Sequence, residues 1–238
     1  MVKKGTILVG TIGQGVMMST DDGESWTRAS VRQGMHSDCI VRALLPDPRR
    51  PAGVYAGTDM GLYESDDGGA HWRLLDTPMK GSMVWSMAID PVDPKVMFAG
   101  TGTPSKPGIY RTTDAGKTWE QLAVDIAADC PNVGIPRPTG IAIDPTDHRH
   151  VWVGLEVDGI RHSADGGETW SRVLAVDENT GATELVMDPS NNKTLYAATY
   201  QRRRSTWGMN GGGAGSASCA GCSGSGVPRT RKSASARW

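Results

Sequence analysis

The chain of 238 residues is 38% hydrophobic with a net charge of −1, enough apolar material for one large core and no overall field to hold a polyanion. The charge is uneven: residues 1–200 carry all 26 acidic residues against 18 of the 25 Lys and Arg, a net of −8, which leaves +7 on residues 201–238. The N-terminus, MVKKGTILVGTIG, has an apolar run far short of a signal sequence or a membrane span, so the expectation is a cytoplasmic chain with no membrane span. Cys39, Cys130, Cys219 and Cys222 lack the spacing of a disulfide framework, and reduced thiols are expected.

In chain order, short β-branched or alternating runs bounded by Asp, Pro and Gly predict antiparallel strands. The first group, TILVGT, GVMMS and SWTRA, lacks a first strand. The second is IVRALLPDP, GVYAGT, GLYES and HWRLL; the third is SMAID, VMFAGT, GIYRTT and TWEQL; the fourth is TGIAIDP, HVWVGL, GIRHS and TWSRV. A fifth begins with TELVMDP and TLYAAT and goes no further. Four strands in about 45 residues is the size of one propeller blade. The expectation is an all-β chain: a β-propeller of four-stranded antiparallel blades, about four of them, in an incomplete ring. Residues 1–207 hold the blades. Residues 208–238, almost all Gly, Ser, Ala, Arg and Cys, have little to bury and are expected to be a disordered tail, from an out-of-frame or truncated reading.

One motif recurs between the third and fourth strands of each group: STDDGESW (19–26), SDDGGAHW (65–72), TTDAGKTW (112–119) and SADGGETW (163–170). Its aspartates, Asp21, Asp67, Asp114 and Asp165, are 46, 47 and 51 residues apart, a repeat signature. Each copy has a Ser or Thr to tie the strand end (Ser19, Ser65, Thr112, Ser163) and an Asp to accept N–H groups of its own turn. Each also has a Gly that takes φ > 0 without steric cost (Gly23, Gly69, Gly116, Gly167) and a Trp returning to the core (Trp26, Trp72, Trp119, Trp170). The box is therefore structural rather than catalytic.

These four boxes resemble the Asp-box, or BNR repeat, and residues 5 to about 200 resemble the Asp-box β-propellers, which include sialidases, xyloglucanases, sortilin-like receptors and photosystem II assembly factors. The resemblance is specific for fold and weak for function. It implies that the boxes face away from the usual binding surface, which is built from the loops joining strands 2 to 3 and from the connections between blades. Those loops collect the binding-face candidates Arg32, His36, Asp38, Lys80, Lys106, Arg137, Tyr200 and Arg202, with Arg203 and Arg204 beside the last. The resemblance implies either of two functions. One is a non-catalytic scaffold or binding module for a protein or glycan partner. The other is a glycoside hydrolase using paired carboxylates, for which Asp59, Glu156 and Asp158, with Asp38, are the weak catalytic candidates. Neither the three-arginine cluster and Tyr/Glu pair of a sialidase nor the N-terminal acidic motif of a xyloglucanase is found.

No cofactor is expected. Cys219-Ala-Gly-Cys222 lacks a second ligand pair, GMNGGGAGS lacks the Lys-Ser/Thr of a phosphate loop, and the Arg202–Arg204 run reads as solvated rather than as a nucleic-acid contact. His148 and His150 flank a turn and are expected at the surface. An unfinished propeller exposes strand edges and apolar blade faces, which predicts self-association.

Overall fold

The computed structural model describes residues 5–128, 135–174, 180–188, 190–191, 193–201 and 234–237. The chain is an all-β propeller arc of five consecutive antiparallel sheets. The first sheet has three strands, β1 (Ile7–Gly10), β2 (Val16–Ser19) and β3 (Thr27–Arg28). The second has β4 (Val41–Pro46), β5 (Val54–Thr58), β6 (Gly61–Ser65) and β7 (Arg73–Leu74). The third has β8 (Met83–Ile89), β9 (Met97–Gly102), β10 (Gly108–Thr112) and β11 (Glu120–Gln121). The fourth has β12 (Pro138–Ile143), β13 (Val151–Leu155), β14 (Ile160–Ser163) and β15 (Ser171–Leu174). The fifth has β16 (Thr180–Met187) and β17 (Thr194–Gln201), with β18 (Ala234–Arg237) paired to β17. That last pairing falls inside the segment expected to be a tail; residues 202–233, with Arg202 and the Cys219/Cys222 pair, lie outside the described residues, as does Cys130. Among the described residues no helix is long and apolar enough to cross a membrane.

The sheets stack face to face. β1 packs on β4, and the first strands β4, β8, β12 and β16 pack on one another in turn and form the inner wall of the arc. A sheet covered by neighbours on both faces has no solvent-facing side, and β5, β9 and β13 are accordingly buried at every position instead of alternating. β1 occupies the same place in the first sheet and is largely exposed, because no sheet among the described residues covers its outer face. Close stacking also dictates a glycine in the second strands of the first four sheets. A Cβ on Gly10, Gly57, Gly100 or Gly154 would stand 2.8, 2.9, 2.6 or 2.9 Å from Val41, Val84, Pro138 or Ala182 of the next sheet's first strand.

The repeated box closes the β2–β3, β6–β7, β10–β11 and β14–β15 hairpins in the same way. In the fourth copy Ser163 Oγ donates to Asp165 Oδ1 (2.7 Å) and accepts from Gly167 N–H (2.8 Å). Asp165 also takes the Thr169 N–H (2.9 Å) and hydroxyl (2.5 Å), and Trp170 Nε1 donates to Gly167 O (2.9 Å). The other three copies repeat the pattern, with Ser25, His71 and Thr118 in the place of Thr169. The box tryptophan packs on the preceding sheet, which is why the four are not equivalent. Trp72 is 5% exposed beside Val16 and Ala29 of the first sheet, Trp119 and Trp170 are half-buried, and Trp26, with no sheet before it, is 41% exposed rather than a core residue. The fourth strands also run shorter than their sequence runs in the first three sheets. Trp72 N–H, for instance, leaves its own ladder to donate to Gln33 O of the connection before it (2.7 Å).

A second repeated device escaped the sequence reading. Asp47, Asp90, Asp144 and Asp188 end the four first strands, and each accepts backbone N–H groups two or three residues on: Arg49, Val92 and Asp93, Thr146 and Asp147, and Ser190. Burial raises the Asp47 carboxyl, but hydrogen bonds from the Arg49 side chain and backbone and from Arg50 outweigh it and hold the group at about 2.

Candidate functional site

Up-and-down strand order puts the loops between second and third strands at one end of the arc, together with the connections between sheets, and the boxes at the other. The loops at the first end are laced together. Gly15 N–H donates to Cys39 O (2.8 Å), Gly81 N–H to Met60 O (2.9 Å) and Glu156 N–H to Arg137 O (2.9 Å).

The inner wall reaches this end with a break in register. In each of the four first strands one residue is skipped in the ladder: Arg42 in β4, Trp85 in β8, Thr139 in β12 and Thr183 in β16. A bulge re-aims the extra side chain and frees it from the alternation of its strand. Arg42 and Trp85 thereby converge from neighbouring sheets, the Arg42 guanidinium lying 4.4 Å from the Trp85 ring centroid. Arg137, from the connection leading into β12, places its guanidinium 4.6 Å from the same ring. Trp85 Nε1 donates to Thr103 O (3.0 Å), which fixes the indole. Two cations are thus held by one aromatic side chain.

Arg137 is balanced by Glu156, which is 3% exposed: Nη1 donates to Oε1 at 3.3 Å and Nε lies 3.3 Å from Oε2. Arg42 forms no ion pair among the described residues, and burial, then the charge of Arg137, lowers its affinity for its proton. Among the described residues, the mouth of the inner wall therefore offers an indole, one neutralised and one uncompensated guanidinium, and the buried Glu156 carboxylate. Thr139 and Thr183 turn their hydroxyls back onto carbonyls, of Gly154 (3.2 Å) and Ala182 for the first and of Ala198 (2.9 Å) for the second.

Of the residues expected at this face, and among the described residues, the structure pairs Arg137 with Glu156 and, two positions apart in one loop, His36 with the Asp38 N–H (3.3 Å). Asp59 accepts the Cys39 thiol (3.2 Å) and the Ile40 N–H (3.0 Å) and so ties two loops; burial, reinforced by Asp59, pushes the Cys39 thiol up to about 12. Asp158, 5% exposed, takes Arg161 Nη2 (2.8 Å) and the Ala127 N–H (3.0 Å), with Arg172 at 3.3 Å. Both carboxylates are spent on the scaffold. Asp38 is exposed beside Arg28, Lys80 pairs with Asp76 (3.0 Å), and Arg32, His36 and Lys106 are exposed. The side chain of Tyr200 lies outside the described residues. Arg42 and Trp85 were missed, although a signal exists: each stands five residues before the aspartate that ends its first strand, as Thr139 and Thr183 do.

At the opposite end, a cleft of about 560 Å³ between the second and third sheets is lined by Arg49, Arg50, Tyr55 and Lys117. Arg49 and Arg50 are already committed to Asp47, Arg50 also to Glu64 and Asp66, and Arg73, a third arginine of the lining, pairs with Glu64. His148 is exposed as expected and also holds Asp90 of the preceding sheet (2.6 Å), whereas His150 is half-buried and stacks on His162. Among the described residues no group of three His, Cys, Asp or Glu side chains is placed to hold a metal ion.

No family model matches the chain. It is similar to curated xyloglucanases. Identity is 29% over 194 residues with Xgh74A of Acetivibrio thermocellus (67% of this chain, 23% of that protein) and 30% over 189 residues with a Paenibacillus enzyme (74% and 18%). It is also 27% identical over 158 residues to the photosystem II assembly lipoprotein Ycf48 of Synechococcus, covering 65% of this chain and 43% of that one. The chain spans less than a quarter of the length of the curated xyloglucanases it matches. Among solved structures, an ancestral GH74 enzyme superposes with a TM-score of 0.70 at 20% identity, covering 84% of this chain and 26% of that one. The GH74 xyloglucanase of Xanthomonas campestris gives 0.62 at 17% (81% and 33%). Both superpositions support the propeller fold.

Proposed function

We propose that these sheets are the polysaccharide-binding blades of a xyloglucanase-type glycoside hydrolase of the Asp-box kind, and that the glycan meets the Arg42–Trp85–Arg137 cluster at the mouth of the inner wall. The observation that carries this reading is the similarity to two xyloglucanases across 67–74% of the chain, which favours glycoside hydrolysis over a non-catalytic scaffold. The cluster supports it chemically. An aromatic side chain beside guanidinium donors suits a neutral, hydroxyl-rich sugar ring, which offers C–H faces and acceptor oxygens but no charge.

Hydrolysis by two carboxylates requires a pair with a fixed separation. Among the described residues Glu156 is the acid paired with this cluster, and Asp59 and Asp158 are bound to other partners, so the proposal assigns binding to these blades and not a complete catalytic pair. Affinity electrophoresis in gels containing xyloglucan tests it. The expected result is retardation of the chain and loss of at least ten-fold in affinity for Trp85→Ala. Equal mobility with and without the polysaccharide would sink the proposal and favour the scaffold reading, which rests on the similarity to Ycf48.

A further inference from the structure

The cleft between the second and third sheets, at the box end, holds more positive charge than its ion pairs use. Its walls come from two four-stranded sheets, and every lining residue lies within 49–117, a stretch described without a break. Its volume of about 560 Å³ suits a small molecule. Arg49, Arg50, Arg73 and Lys117 line it, with Glu64 and Asp76 as the acids of the lining. Asp76 is exposed and paired with Lys80 (3.0 Å). The four lining cations therefore face three carboxylates, Asp47, Glu64 and Asp66, and Lys117 forms no ion pair among the described residues.

The ion pairs also leave hydrogen-bond donors over. Arg49 gives Nε and Nη2 to Asp47 (2.8 and 2.6 Å), and its Nη1 makes no hydrogen bond among the described residues. Tyr55 is 2% exposed, and its hydroxyl oxygen accepts Arg49 Nη2 (3.3 Å) and Arg50 Nη2 (3.1 Å). With both bonds arriving at the oxygen, the hydroxyl proton has no acceptor among the described residues, and a buried donor left so costs free energy until a partner supplies one. The box turn of the third sheet brings Lys117 to this point. A Cβ on Gly116, the residue before it, would stand 3.7 Å from the Tyr55 hydroxyl.

An ammonium, a free guanidinium edge and a phenolic O–H are all donors, and together they match an oxyanion. The surplus of one cation matches a single negative charge. We infer that this cleft binds a small organic oxyanion of charge −1, a carboxylate or a sulfate ester. Lys117 supplies the countercharge, Tyr55 and Arg49 supply directed hydrogen bonds, and Leu75, Ala115 and Gly116 offer an apolar side for the body of the ligand. The site lies at the other end of the sheets from the Arg42–Trp85–Arg137 cluster and stands whether or not a glycan binds there.

Ligand-observed NMR titration of the full chain, at one fixed ionic strength, tests the inference with benzoate, phenyl sulfate and benzamide, the last a neutral isostere of benzoate. Saturable binding of benzoate, of phenyl sulfate or of both is expected, and none of benzamide; which anion saturates names the source of the charge. Lys117 is exposed, so Lys117→Gln should melt with the wild type while losing about ten-fold or more in affinity, and Lys117→Arg should keep it. Tyr55→Phe, checked by its own melt, should lose affinity as well. Binding of neither anion, equal binding of benzamide, or unchanged affinity in Lys117→Gln would each overturn the site.

Discussion

Leu8 of the first sheet lies over the α-carbon of Gly69 in the second, so that a methyl group added there would stand 2.7 Å from Leu8 Cδ2. Gly69 also has φ of 95°, a left-handed conformation. Its neighbour Gly68 has φ of 74° with nothing within 4 Å of its missing Cβ. The two positions separate strain from packing. Gly68→Ala is expected to cost about 1 kcal/mol, the left-handed penalty alone. Gly69→Ala adds an overpacking cost of about 1–3 kcal/mol. Urea denaturation of both variants checks the order; equal losses would remove the packing part of the account.

Ser65 is buried, donates to Asp67 and accepts from Gly69 N–H at 2.8 Å. Ser65→Ala leaves that N–H without an acceptor inside the protein, and a loss of about 1–3 kcal/mol in unfolding free energy is expected. Ser65→Thr, which keeps the hydroxyl as Thr112 does in the third copy, should recover most of it.

Asp47 predicts an acid limit. Its folded carboxyl sits at about 2 against a usual 3.8, a depressed value, so its contribution is fully present above pH 4 and is lost as pH falls from 4 towards 2. Asp114, held at about 2 by the Thr118 hydroxyl and N–H and by Thr112, titrates in the same window. Thermal melts between pH 6 and pH 2 should show a melting temperature that falls below pH 4, with a shallower fall in Asp47→Asn.

The acids at the binding end divide by burial. Asp158→Asn strands the Arg161 guanidinium, whose side chain is 4% exposed, and should cost about 3–5 kcal/mol. Glu156→Gln strands Arg137, which is 25% exposed, so solvent screening reduces the loss to about 1–2 kcal/mol. Asp38→Asn, at an acid 83% exposed, should change nothing measurable. Chemical denaturation of the three variants checks the ranking, and any turnover assay on Asp158→Asn has to be read beside its melt.

The repeats made the fold legible because period and strand grammar are local properties of the chain. The missing first strand of the first sheet, the box hairpins and the loop face all follow from them. What the chain conceals is set by neighbours. Trp26 and Trp72 have the same local context, and only the presence or absence of a preceding sheet makes one exposed and the other buried. Asp158 looks like a free loop acid until Arg161 and Arg172 are brought to it. Arg42 and Trp85 are 43 residues apart in sequence, so their contact exists only through the stacking of β4 on β8.

The bulge in every first strand has a consequence for how such a surface changes over time. A residue that stands outside the ladder's alternation is not asked to pack, so Arg, Trp, Thr and Thr occupy the same slot in four successive sheets without disturbing the strands that carry them. The inner wall behaves like a row of interchangeable sockets. Replacing one socket's side chain rewrites what the wall recognises at that point, while the glycines and box turns that hold the sheets together stay untouched.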